Sequence, residues 1–281
     1  MKKTPVFSGQ FIYGTALFFM LAAAMLAASC SKNDSAPAAP ATLVKQWDVV
    51  LNTKFENPAP AARTETGTAT LQLYSDSTMK YTITITGLAA GDNLTASHIH
   101  WGDPLDNGPV ILNFAPAFSG GTATGTVNLR NSLADSLKTG EAYVNVHSTQ
   151  FPAGLARGQL NDPVDFAIDV AMAGTNEVPS VTTTATGLAL LRLAPEKKLY
   201  SKITVTNLES NDTLSVAHIH GAAAGANGSV LQLLCSSLAD FGVKKSVVLS
   251  DANVTALKTG SVYVNAHSKV RPGGIVRGQI R

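Results

Sequence analysis

Apolar and polar residues alternate along this chain in short runs, and the period is two rather than three or four. Ile83 and Ile85 alternate with Thr82, Thr84 and Thr86, and Phe166, Ile168, Val170 and Met172 alternate with their neighbours further on. A period of two places one apolar face in a core and one polar face in water, as in an antiparallel sheet. Eight such runs are predicted in the first half: Trp47–Leu51, Thr68–Tyr74, Lys80–Thr86, Leu94–His100, Pro109–Phe114, Thr122–Leu129, Ala142–Ser148 and Leu155–Leu160. Gly87, Gly91, Gly102, Gly108, Gly120 and Gly121 punctuate them as turn signals. The segment Asn131–Lys138 reads as one helical turn or an irregular loop. About eight strands at this spacing imply an all-β sandwich or barrel, usually of Greek-key type.

The pattern then starts again. His98-Ile99-His100 recurs as His218-Ile219-His220, an offset of 220 − 100 = 120 residues. The same offset relates Tyr143-Val144-Asn145-Val146-His147-Ser148 to Tyr263-Val264-Asn265-Ala266-His267-Ser268, and Arg157-Gly158-Gln159 to Arg277-Gly278-Gln279. A period this long is a domain duplication rather than a solenoid. The expected organisation is a leader over 1–29, a tether over 30–42, and two tandem domains over 43–162 and 163–281.

The N-terminus adds a compartment. Lys2 and Lys3 precede an uncharged, mostly apolar stretch from Phe11 to Ala28, and Ala27, Ala28 and Ser29 precede Cys30. This layout is that of a cleavable signal, and it resembles a bacterial lipoprotein box in which Cys30 becomes the acylated first residue. A single transmembrane anchor is the other reading, since about 18 apolar residues just span a bilayer. The polar, Ala/Pro-rich residues 31–42 read as a flexible tether. The expected location is the cell envelope, with the chain facing the periplasm or the exterior.

Charge narrows the partners. The chain has 21 Lys and Arg against 19 Asp and Glu, and removing Lys2 and Lys3 with the leader leaves the two equal. A neutral chain without a basic run excludes nucleic acid as an expected partner. The membrane, through the lipid, and an envelope or extracellular protein or matrix component remain. Only two cysteines occur. With Cys30 acylated, Cys235 is a lone residue in an apolar run and reads as core; a Cys30–Cys235 disulfide is the competing possibility.

All six histidines fall in the repeated motifs: His98, His100 and His147, then His218, His220 and His267. On a strand, His98 and His100 share one face while Ile99 takes the other, and Tyr143, Asn145 and His147 likewise share a face. With Val144 and Val146 directed to the core, all three rings are expected on the outer face. If the two strands are neighbours, three imidazoles converge, an arrangement suited to copper or zinc with an open position. The alternative is a structural network in which Tyr143, Asn145 and Ser148, with Tyr263, Asn265 and Ser268 in the second copy, satisfy the rings and pin a loop. Arg157 and Arg277 are expected to pair with Glu56 and Glu177 or to cap carbonyls, with an anion contact as the alternative. Glu56-Asn57-Pro58 and Glu177-Val178-Pro179 read as surface turns. No phosphate loop, nucleophile elbow, zincin helix or C-x-x-C pair is present.

The ordered set E-x-P, T-G, A/S-H-I-H, Y-V-N-V/A-H-S, P-x-G and R-G-Q resembles the CHRD domain, over about 43–161 and 166–281. The resemblance implies an extracellular β-rich module, usually without an assigned activity; in chordin it sits in a protein that binds secreted signalling factors. A second likeness is to copper/zinc superoxide dismutases, which carry H-x-H, a later copper-binding histidine and an Arg near the C-terminus. Only eight residues separate His100 from Pro109, which leaves no room for the zinc-binding loop of that family, and neither copy can form a disulfide. That likeness therefore implies a copper-only site, and with it a copper-dependent redox enzyme as the alternative function.

Overall fold

The computed structural model describes residues 39–281. The expected leader over 1–29, Cys30 and most of the expected tether lie outside the described residues. Two eight-stranded antiparallel sheets are built from consecutive stretches of chain. The first comprises β1 (Leu43–Asn52), β2 (Thr66–Tyr74), β3 (Thr78–Thr86), β4 (Leu94–Trp101), β5 (Val110–Asn113), β6 (Thr122–Asn128), β7 (Ala142–Ser148) and β8 (Ala156–Gln159). The second repeats it as β9 (Phe166–Ala173), β10 (Thr186–Leu193), β11 (Lys198–Thr206), β12 (Leu214–Gly221), β13 (Ser229–Cys235), β14 (Lys245–Val248), β15 (Val262–Ser268) and β16 (Val276–Gln279).

The strand order in the first sheet is β5-β4-β7-β8-β1-β2-β3-β6, and the second copies it. Joining the two edges would give the cyclic order 1-2-3-6-5-4-7-8, in which the chain twice leaves its hairpin partner and returns beside an older strand. That is Greek-key connectivity. The sheet curves back on itself, because Ile83 of β3 and Ile99 of β4 belong to one buried cluster although four strands separate theirs in the sheet. Near the open seam the Tyr81 hydroxyl donates to the Phe114 carbonyl at 3.1 Å, and the two rings lie 4.7 Å apart. All eight predicted strands of the first copy are present.

The alternation sorts residues as the period predicts. On β3, Met79, Tyr81, Ile83 and Ile85 are buried while Lys80, Thr82 and Thr86 are exposed. β7 departs from it: all seven of its residues are buried. Val144 and Val146 enter the core, whereas Tyr143, Asn145 and His147 are covered on the opposite face by loops. Asn131–Leu137 is a short helix, α1, which buries Ala134 and Leu137, so the segment is more than a single turn. Its counterpart α2 (Asp251–Thr259) is capped by the Ser250 side chain, which accepts from the Asn253 amide. Cys235 lies in the second core with no disulfide partner among the described residues, and burial pushes its pKa up to about 12, as suits an inert core residue. Among the described residues no helix is long and apolar enough to cross a membrane.

Candidate metal centre

β4 and β7 are distant in sequence but adjacent in the sheet, and their register sets His98 opposite Asn145 and His100 opposite Tyr143. The same pairing in the second copy sets His218 opposite Asn265 and His220 opposite Tyr263. The third ring of each copy joins its paired companions. Ring centroids are 4.8 Å apart for His98 and His147, 5.7 Å for His98 and His100, and 6.4 Å for His100 and His147. In the second copy the corresponding separations are 5.1, 5.4 and 6.1 Å. In each trio, one nitrogen per ring lies within 4.8 Å of the others.

The tautomers follow from the partners. His100 Nδ1 lies 2.9 Å from the Gly108 carbonyl, and His147 Nδ1 lies 3.0 Å from the Pro152 carbonyl. A carbonyl only accepts, so both Nδ1 atoms carry the hydrogen and both Nε2 atoms present lone pairs. His220 with Gly228 and His267 with Pro272 repeat this at 3.0 and 2.9 Å. His98 Nδ1 sits 3.0 Å from His147 Nε2. His100 Nε2 and His220 Nε2 are buried and find no hydrogen-bond partner. Burial, with the neighbouring rings second, draws His98 and His218 down to about 4, and burial also lowers His100, His147 and His267. At these five rings burial thus favours the neutral imidazole, the state a metal requires. Imidazole-only ligation with backbone carbonyls orienting the rings fits copper or zinc.

The histidine face points away from the core, as the alternation predicts, but it is not open to water. His147 and His267 are buried, and His98 and His100 are half-buried. Two loops cover the face: Thr53–Pro60 after β1, and Gly102–Pro109 between β4 and β5. Arg157 holds the second of these. It is 1% exposed, its guanidinium lies 3.3 Å from the Tyr143 ring centroid, and it donates to the Asp106 and Asp103 carbonyls at 2.7 and 2.5 Å and to Gln159 Oε1 at 3.0 Å. Tyr143 stacks in turn on His100, with centroids 4.9 Å apart and 9° between planes. Arg277, Tyr263 and His220 form the same stack. Arg157 thus caps carbonyls, and no ion pair to Glu56 forms among the described residues. Burial still lowers its pKa, to about 10, which leaves it charged at neutral pH.

Glu56 and Glu177 are not surface turns. They are 5% and 6% exposed, because the loop that carries them folds inward over β7 and β15. Asn145 Nδ2 donates to Glu56 Oε2 at 3.4 Å, while Glu56 Oε1 and Asn145 Oδ1 find no partner. These atoms and His100 line a cleft of about 520 Å³ closed by Pro58, Pro60 and Phe151. Gly154 makes this approach possible: its φ is +149°, and a Cβ there would sit 2.9 Å from Glu56 Oε1. Burial raises the Glu56 carboxyl to about 7, against the lowering effect of Arg157, Arg192 and Asn145. The repeated E-x-P and P-x-G segments were the available signals for these positions. Asp92 was a further one. It accepts from Ser148 Oγ at 2.8 Å and from Arg63 at 2.7 Å, and Asp212 accepts from Ser268 at 2.5 Å in the second copy, so each fixes the end of its histidine strand.

Comparison with known proteins agrees with the duplication. The family model for the CHRD domain matches twice, over residues 47–160 and 168–280. Chordin from Danio rerio is 25% identical over 233 residues, which cover 76% of this chain and 24% of that protein. Chordin from Xenopus laevis is 27% identical over 154 residues, covering 50% of this chain and 16% of that one. The chain thus spans about a quarter or less of the length of these relatives. No solved structure matches.

Proposed function

The chain belongs to the CHRD domain family and carries the domain twice, and on that premise we propose that it is an extracytoplasmic binding module holding a copper or zinc ion on each three-histidine cluster. The observation that carries the metal is the pair of buried, partnerless Nε2 atoms of His100 and His220, each kept unprotonated by a carbonyl on the far side of its ring. A buried acceptor without a partner costs about 1–3 kcal/mol. A cation bound by three neutral imidazoles removes that cost, and a fully satisfied structural network would not leave it. His98, His100 and His147, with His218, His220 and His267, are the ligands in this reading. Tyr143, Asn145 and Arg157, with Tyr263, Asn265 and Arg277, position the rings and the loops over them.

Metal content tests this. The purified chain, equilibrated with copper or zinc and dialysed, is expected to retain two ions by mass spectrometry. His98→Ala should retain one, and His98→Ala combined with His218→Ala none, with circular dichroism unchanged. Failure to retain stoichiometric metal at any pH above 6 would sink the reading.

The family and the leader together support a place in the cell envelope. We take residues 1–29 as a signal, Cys30 as the acylated residue, 30–42 as the tether, and 43–162 and 163–281 as the two domains. The module then faces the periplasm or the exterior, where an envelope or matrix protein is its expected macromolecular partner. Cys30→Ser is expected to release the protein from the membrane fraction and to abolish labelling by a fatty-acid analogue. Retention of the variant in the membrane would favour an uncleaved anchor.

An imidazole-only ligand set also suits copper that cycles between two oxidation states. A copper-loaded protein that consumes superoxide faster than free copper would move the reading to a redox enzyme. Bound copper without that activity leaves a binding module.

A further inference from the structure

The two copies meet asymmetrically. Leu105, on the loop between β4 and β5, packs with Leu190 and Ala194 after it in the β10 segment and with Tyr200 of β11 in a small buried cluster. Arg192 is fully buried, pairs with Asp169 at 2.7 Å and donates to the Glu56 carbonyl. Asp169 also accepts from the Ala59 amide at 2.9 Å. Lys244 reaches back to Asp103 at 2.6 Å and Asp106 at 2.7 Å. The second copy therefore grips both loops that cover the first histidine trio.

Nothing grips the second trio in this way among the described residues. The counterpart of Gly102–Pro109 over it runs from Ala222 to Gly228, and Ala223, Ala224 and Gly225 are exposed where Asp103, Pro104 and Leu105 are buried. The sheet face that does the gripping is also unique to the second copy. Leu190, Arg192 and Tyr200 stand where the first copy has Thr70, Gln72 and Lys80, at the 120-residue offset.

We infer that the two metal sites differ in exchange: the first trio is a retained site, locked by the domain interface, and the second is the site that trades its ion with the surroundings. The inference rests on the metal reading above. Both trios are substantially covered, so an ion enters or leaves only when a covering loop opens, and the rate follows the free energy of that local opening. Opening Gly102–Pro109 requires breaking the Lys244 pairs and uncovering Leu105. Opening Ala222–Gly228 requires only the contacts within its own copy, such as that from Arg277 to the Ala223 carbonyl.

The test uses the full chain loaded with two zinc ions and mixed with excess chromogenic chelator. Release is expected in two equal phases, with the slow one roughly tenfold or more slower, since one lost charged contact shifts an opening equilibrium by about that factor. His98→Ala should remove the slow phase and His218→Ala the fast one. Arg192→Gln, which restores the first copy's residue type, should speed the slow phase and leave the fast one unchanged. Lys244→Ala, at the surface, should do the same if Arg192→Gln does not fold. One common phase for two bound ions overturns this inference alone, as does a slow phase that disappears with His218→Ala or that ignores both clamp variants. A chain that never holds two ions overturns the metal reading, and this inference with it.

Discussion

Arg157→Ala is expected to lower the unfolding free energy by about 3 kcal/mol or more, because two acceptors lose their donor at about 1–3 kcal/mol each and a third loses one of its two. The two are the part-buried Asp106 carbonyl and the buried Gln159 Oε1, and the third is the Asp103 carbonyl, which keeps the Asp106 amide. The ring of Tyr143 also loses the guanidinium 3.3 Å from its centroid. Arg157→Lys should recover less than half of the loss, since a single ammonium cannot reproduce the planar fork that serves two carbonyls and a stacked ring. The loop that Arg157 holds carries Gly108, whose carbonyl fixes the His100 tautomer. Metal affinity at the first site should therefore fall with stability, while the second site keeps its ion. Urea denaturation gives the first number and metal titration the second. A loss below about 1 kcal/mol would show that water replaces the guanidinium at little cost, contrary to the burial seen here.

Glu56→Gln should change how stability depends on pH. In the folded chain the Glu56 carboxyl titrates at about 7, against a reference value of 4.5. Below pH 4.5 the group is protonated in both states and contributes no slope. Between 4.5 and 7 the folded state keeps a proton that the unfolded state has released, so stability falls as pH rises. Above 7 both states are ionised and the curve is flat again, lower by about 3 kcal/mol for a shift of this size. Gln does not titrate, and its amide also offers a donor to the partnerless Asn145 Oδ1. The variant is thus expected to lose about 3 kcal/mol less than the parent between pH 4.5 and pH 8 in chemical denaturation. Glu177, also raised to about 7 chiefly by burial, remains to give the second copy's share of the decline. His98 and His218 act with the opposite sign. Held near 4, they make stability fall as pH drops from 6.5 towards 4, and they cancel in the comparison because both proteins contain them. Parallel pH curves for parent and variant would mean that Glu56 is ionised and solvated in the folded chain.

Much of the molecule was legible in the chain itself, for a local reason. The two-residue period of a strand is fixed by backbone geometry, so Ile83 and Ile85 declared a buried face, and His98 and His100 declared a shared one, before any partner strand was known. Duplication supplied the rest: three histidines kept at one offset marked the positions that matter, and E-x-P and P-x-G marked the turns around them. What no local pattern contains is who lies over a face. The adjacency of β4 and β7 depends on a long Greek-key connection. The burial of Glu56 depends on a loop folding inward against Gly154. Choice of ring nitrogen depends on the carbonyls of Gly108 and Pro152, and the inequality of the two sites on Arg192, Lys244 and Leu105 meeting across the copies. Those are contacts between residues far apart in sequence, and only the packing of the whole chain brings them within reach of one another.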